Sequence, residues 1–152
     1  MSLTPGELAP EFILPDADGH LVSLSHFRGK RVILFFYPRD NTPGCTTEAI
    51  GFRDLYREYQ DRDLVILGVS ADDAQSHAKF AAKYQLPFRL LCDTDGKVAT
   101  TYGSYGLKKF MGREFMGVYR HTFIINPEGY IEQIHRQVKP SHHAAKILKE
   151  LS

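Results

Sequence analysis

RVILFFYPRDNTPGCTTEAIGF, residues 31–52, contains a buried strand, a short loop and the opening of a helix. Arg31 to Tyr37 is almost continuously apolar and β-rich, with no polar alternation to mark a solvent face. Such runs belong to strands covered on both sides, as in parallel sheets. Pro38 ends the run, because it cannot donate to a ladder and restricts the backbone before it. Beyond Thr42-Pro43-Gly44, the segment from Cys45 to Gln60 places Ala49, Phe52, Leu55, Tyr56 and Tyr59 on one face at helical spacing. A cysteine at a helix start faces N–H groups without internal partners and the positive end of the macrodipole. Both favour thiolate over thiol, and the thiolate is the nucleophile.

Working outward, Leu64 to Ser70 repeats the buried-strand pattern, and Asp72 or Asp73 is placed to cap a helix running to about Tyr84. Phe88 to Cys92 is a third strand, closed by a turn at Asp93–Gly96. Upstream, Phe12–Pro15 and Leu21–Leu24 flank Asp18-Gly19 as an N-terminal β-hairpin, followed by a loop or single helical turn over Ser25–Gly29. Downstream, Gly103 to Gly117 reads as a basic connection. Tyr119–Ile125 and Tyr130–His135 read as strands joined at Asn126-Pro127-Glu128-Gly129, and Ala144–Leu151 as a closing amphipathic helix. The alternation of strand and helix predicts an α/β layered fold in one domain spanning residues 1–152.

Composition excludes several classes. With 152 residues, 43% hydrophobic, 24% charged and net charge +1, the chain offers no bulk attraction for nucleic acid or an acidic membrane. No apolar run approaches the ~20 residues that span a bilayer. Met1 to Pro10 lacks the pattern of a secretory or transit segment, and two cysteines in a chain able to build its own core point to a reducing, cytoplasmic setting. The seven histidines show no metal-ligand spacing with the cysteines, so no metal is expected. No phosphate cradle or dinucleotide fingerprint is present, and no cofactor is expected. Cys45-Thr46-Thr47-Glu48 puts Glu where a dithiol oxidoreductase needs its second cysteine.

Pro38, Thr42 and Cys45 resemble the Pro-x-x-x-Thr-x-x-Cys signature of peroxiredoxins. The longer run through Glu48-Ala49 and Gly51–Asp54 is similar to the bacterioferritin-comigratory-protein (PrxQ-type) branch. So are the opening Gly6–Phe12, Arg120-His121-Thr122-Phe123 and Asn126–Gly129. The resemblance implies a thioredoxin-like fold, with a central mixed β-sheet flanked by helices, and a thiol-dependent peroxidase acting on hydrogen peroxide and organic hydroperoxides. It implies Cys45 as nucleophile and Arg120 as the cation that stabilises the thiolate and the polarised O–O bond. Thr42 would accept from the peroxide proton and donate to sulfur or oxygen, and Pro38 would shield the sulfur. Gly44 and Cys45 N–H groups would hold the peroxide, with Glu48 nearby as a substrate-site residue or only a dipole-complementing one. The product is a Cys45 sulfenic acid. The reductant would be an external thiol such as thioredoxin, glutaredoxin or glutathione, and the protein a monomer or weak homodimer.

One departure matters. Where many relatives of this type carry a resolving cysteine, this chain has Ile50, or Ala81 and Ala82 on the following helix. Cys92 is the remaining candidate, expected two strands from the strand leading to Cys45. Two strand spacings are about 9–10 Å, beyond the roughly 7 Å Cα separation a disulfide tolerates without backbone movement. External resolution is therefore favoured over a Cys45–Cys92 bond or an intermolecular bridge. A peroxide sensor using the same cysteine stays open.

Overall fold

The computed structural model describes residues 3–151; Met1, Ser2 and Ser152 lie outside it. The N-terminal hairpin pairs β1 (Ile13–Pro15) with β2 (Leu21–Ser23) and leads through a 3₁₀ turn at Leu24–Phe27. The main sheet follows: β3 (Arg31–Phe36), β4 (Leu64–Ser70) and β5 (Arg89–Cys92), later joined by β8 (Thr122–Ile125) and β9 (Ile131–His135). Its strand order is β5-β4-β3-β8-β9, with β3, β4 and β5 parallel and β8 antiparallel to both its neighbours, β3 and β9. This is the mixed sheet with a thioredoxin-like arrangement that the sequence implies. The helices are α1 (Pro43–Asp54), α2 (Tyr56–Asp61), α3 (Ala74–Tyr84), α4 (Lys97–Thr101) and α5 (His143–Glu150).

The apolar run on β3 is buried on both faces. Val32, Leu34 and Phe36 pack with Leu67, Val69, Phe123 and Tyr102 on one side. Ile33, Phe35 and Tyr37 pack with Ala49, Phe52, Tyr59 and Phe88 on the other. Phe35 stacks on Phe52 of α1 with ring centroids 4.8 Å apart, which fixes the helix carrying Cys45 against the sheet. Gly68 is opposite Phe35 on β4. A Cβ there would lie 2.8 Å from the Phe35 ring and 2.9 Å from Leu90, so only glycine lets the ring lie flat.

Three expectations need correction. The helix read as Cys45–Gln60 begins earlier, at Pro43, and breaks at Leu55 (φ −104°, ψ 9°). The break lets Phe52 and Tyr59 meet edge to face and both be fully buried, which one straight helix need not allow. The stretch read as a connection, Gly103–Gly117, is largely a hairpin of β6 (Tyr105–Phe110) and β7 (Arg113–Val118). Its turn residues Met111 and Gly112 both take positive φ, 51° and 78°, as a type I′ turn demands. After the Asp93–Gly96 turn the chain adds α4, whose first N–H groups at Val98 and Ala99 are accepted by the Asp93 carboxylate at 3.1 and 2.9 Å.

Candidate active site

Thr42 is the N-cap residue of α1, in extended conformation, and Pro43 is the first helical residue. Pro there removes a donor that would have no partner anyway. Cys45 therefore falls in the first turn, where helix geometry leaves N–H groups free. The Thr42 side chain makes no capping bond. Its hydroxyl donates instead to the Arg39 carbonyl at 2.8 Å. A hydroxyl has one proton. In this arrangement the Thr42 proton goes to Arg39 and its oxygen can accept.

Arg120 comes from the segment just before β8, and β8 is hydrogen-bonded to β3, so the sheet itself brings it to the start of α1. Its guanidinium forks. Nη2 donates to Cys45 Sγ at 3.4 Å, and Nη1 donates to Glu48 Oε1 at 2.8 Å. Cys45 and Glu48 are three residues apart on one helix and so share a face. Gly44 makes room for the fork: a Cβ there would lie 2.9 Å from Nη2. Pro38 lies half-buried just beyond β3.

One cation thus faces two potential anions in a nearly dry place, with Cys45 2% and Glu48 1% exposed. Burial pushes the Glu48 carboxyl up to about 7, although the Arg120 charge and hydrogen bond oppose the rise. Arg120 itself is raised: burial works against its charge, but the Cys45 and Glu48 charges and hydrogen bonds outweigh it. Glu48 Oε2 is buried without a hydrogen-bond partner among the described residues.

Cys92 sits in the opposite environment. It is at the end of β5, opposite Ser70 on β4 and two strands from β3, and its sulfur faces the Asp16 carbonyl at 3.9 Å. Burial first, then the charges of Asp40, Asp73, Asp16 and Asp72, push its thiol up to about 11. The structure does not bring Cys92 to the Cys45–Arg120 cluster. Ile50 and Ala81 are half-buried and Ala82 is exposed.

Among the described residues, two clusters carry metal-ligating residue types. In Asp16, Asp18 and His20, Asp16 Oδ1 accepts from the Asp18 and His20 N–H groups, which is hairpin-turn chemistry. In Asp40, Asp72 and His77, both imidazole nitrogens already face oxygen partners within 2.9 Å, leaving none for a metal.

The model of the AhpC/TSA family matches residues 5–134. The chain belongs to this family. Among relatives of the AhpC/TSA family, it is 46% identical to a putative peroxiredoxin Bcp of Helicobacter pylori, over 98% of both chains. It is 44% identical to peroxiredoxin Bcp of Bacillus subtilis, covering 99% of this chain and 96% of that one. A crystal structure of a PrxQ variant from Xylella fastidiosa superposes with a TM-score of 0.93 at 30% identity, covering 99% of this chain and 96% of the other. This AhpC/TSA member is a thiol-dependent peroxidase, an oxidoreductase that acts on hydroperoxides and takes its electrons from a thiol. No helix among the described residues is long and apolar enough to cross a membrane.

Two features of the site were not legible beforehand. Glu48, which its position allows as a substrate-site or a dipole-complementing residue, contacts Arg120. His77 carries no stronger sequence signal than a histidine on a helix face of mostly small residues.

Proposed function

We propose that residues 1–152 form one peroxidase domain in which Cys45 is the nucleophile, with Arg120, Thr42 and Pro38 as its catalytic partners. The observation that carries this reading is the Arg120 fork, which places a permanent cation 3.4 Å from a first-turn sulfur. The Cys45 thiolate attacks one oxygen of the hydroperoxide. An S–O bond forms and the O–O bond breaks; the attacked oxygen keeps its proton, and the leaving alkoxide or hydroxide takes one from solvent to depart as alcohol or water. Sulfur is oxidised by two electrons to the sulfenic acid. Arg120 stabilises the negative charge as it passes from sulfur to the leaving oxygen. The Gly44 and Cys45 N–H groups hold the substrate oxygens, and Thr42, whose own proton is engaged by Arg39, accepts a hydrogen bond from the hydroperoxide O–H. Pro38 keeps water from the sulfur. Glu48 holds the second arm of the guanidinium, so its part is to aim Arg120.

Resolution is external. The sulfenic acid reacts with a reductant thiol to give a mixed disulfide and water. A second thiol releases Cys45 and leaves the reductant as a disulfide. Cys92 supports this reading by its burial and its acidic surroundings, since only a thiolate attacks. The reductant is thioredoxin, glutaredoxin or glutathione, the substrates are hydrogen peroxide and organic hydroperoxides, and the working form is a monomer or weak homodimer in the cytoplasm. Turnover of peroxide with a thioredoxin system or a small thiol tests the reading. Cys45→Ala must abolish consumption, and a variant as fast as the parent overturns the assignment. A single stoichiometric oxidation without recycling would make the protein a sensor instead.

A further inference from the structure

The loop between β3 and α1, residues 38–42, is fastened by a buried polar network that the reaction itself does not use. Tyr37 Oη donates to Asp40 Oδ1 at 2.6 Å, Ser76 Oγ donates to Asp40 Oδ2 at 2.8 Å, and His77 Nδ1 lies 2.7 Å from the same Oδ2. The Asp40 N–H donates to Asp72 Oδ2 at 2.8 Å, and Asp72 also accepts from Ser70 Oγ at 2.6 Å. The His77 and Asp40 side chains are 0% and 3% exposed.

The protonation state follows from the partners. His77 Nε2 lies 2.9 Å from the Leu91 carbonyl, which can only accept, so that nitrogen carries a proton. Nδ1 faces a carboxyl oxygen that already receives Ser76, on a group that also receives Tyr37. A carboxyl surrounded by donors is best satisfied as carboxylate. His77 is then an imidazolium, donating from both nitrogens, and the pair is a buried salt bridge. The titratable groups facing His77 are Asp40 on the loop, Asp72 after β4 and Tyr37 just after β3. Burial alone would lower the His77 value, but the Asp40 hydrogen bond and charge, the Leu91 carbonyl and the Asp72 charge together raise it.

The site has a conflicting requirement. Cys45 is 2% exposed, with Gly44 close against Arg120 and Pro140, which suits a small hydroperoxide and shuts out a larger thiol. The first turn of α1 must move before a protein thiol can reach the sulfenic sulfur. Its loop is held by β3 through Tyr37, by the β4 end through Asp72, by α3 through Ser76 and His77, and through His77 to β5.

Taking the peroxidase reading as given, we propose that the buried Asp40–His77 salt bridge is the positioning element of this loop. It holds the first turn of α1 in the peroxide-reactive arrangement, and its strength sets how readily that turn opens to the reductant. His77 and Asp40 touch neither substrate nor sulfur; they act through Thr42 and Cys45. Breaking a buried pair by removing one partner is costly because the other charge is left alone. Removing both should cost less.

The test compares Asp40→Asn, His77→Gln and the double variant with the parent by rapid-mixing kinetics and mass spectrometry. Each single variant should slow the peroxide step about tenfold, the effect of a coupling of ordinary size. At fixed peroxide and thiol, the sulfenic acid should partition towards thiol capture and away from sulfinic acid by a similar factor. The double variant should be no worse than the poorer single one. Parallel losses in both steps with unchanged partition, or additive losses in the double variant, overturn the proposal. Nitrogen NMR of His77 in the parent is independent of whether the variants fold: two protonated ring nitrogens at pH 7 are expected, and a neutral ring overturns the pair. A parent that consumes no hydroperoxide would sink the peroxidase reading alone, since the ring measurement still reports on the pair.

Discussion

Gly44→Ala tests the Arg120 fork with a single methyl group. The new Cβ would lie 2.9 Å from Arg120 Nη2 and 3.6 Å from its Cζ. Ordinary contact begins near 3.4 Å, so the nitrogen must retreat by roughly half an ångström. It is not free to do so, because Nη1 is held at 2.8 Å by a Glu48 carboxyl buried behind it. The fork must turn or slide, and either motion weakens the 3.4 Å bond to Cys45 Sγ. A hydrogen bond to a charged group is worth about 1.5–3 kcal/mol. At about 1.4 kcal/mol per factor of ten, the rate with hydroperoxide should fall roughly 10- to 100-fold. Stability should fall far less than activity. Gly44 lies within α1 and has no left-handed backbone, so up to about 1 kcal/mol of helix propensity offsets the strain around Arg120. The assay is rapid-mixing oxidation of Cys45 by hydrogen peroxide, with thermal unfolding alongside. A Gly44→Ala protein within twofold of the parent rate would refute the claim that the fork is tightly held. An equal loss of stability and activity would point to a packing defect.

Further outcomes follow from the same geometry. Burial raises Glu48 from 4.5 to about 7, so its contribution favours the folded state fully below pH 4.5 and is lost as pH rises to 7. That loss is on the order of 3 kcal/mol. Glu48→Gln should remove this downward slope in denaturant titrations between pH 4.5 and 7 while slowing the peroxide step; an unchanged slope would contradict the assignment. Cys92→Ser should retain turnover with an external thiol, because its thiol is pushed up to about 11 and lies two strands from β3. Loss of turnover, with a Cys45–Cys92 peptide in the oxidised parent, would restore the internal disulfide.

Much of this molecule was legible in local patterns. Arg31–Tyr37 and Leu64–Ser70 are apolar on both faces, and only a strand inside a layered sheet needs that. Thr42-Pro43-Gly44 before Cys45 marks a helix start, which is a property of adjacent backbone. The β6–β7 hairpin escaped because Met111 occupies a left-handed turn position usually signalled by Asn or Asp, and because Gly106 and Gly117 interrupt the strand alternation. The break at Leu55 escaped because its cause is packing between Phe52 and Tyr59, while the helical periodicity runs on through it.

Local sequence specifies the strands of the main sheet, the helix start beneath Cys45 and the residue types available for peroxide chemistry, since all of these depend on near neighbours along the chain. Which groups share charge depends on packing in three dimensions. Arg120 reaches Cys45 across 75 positions because β8 pairs with β3, and His77 meets Asp40 across 37 because α3 packs beside the loop. Electrostatic interaction depends on distance in space and on the exclusion of water, and neither is encoded in separation along the chain.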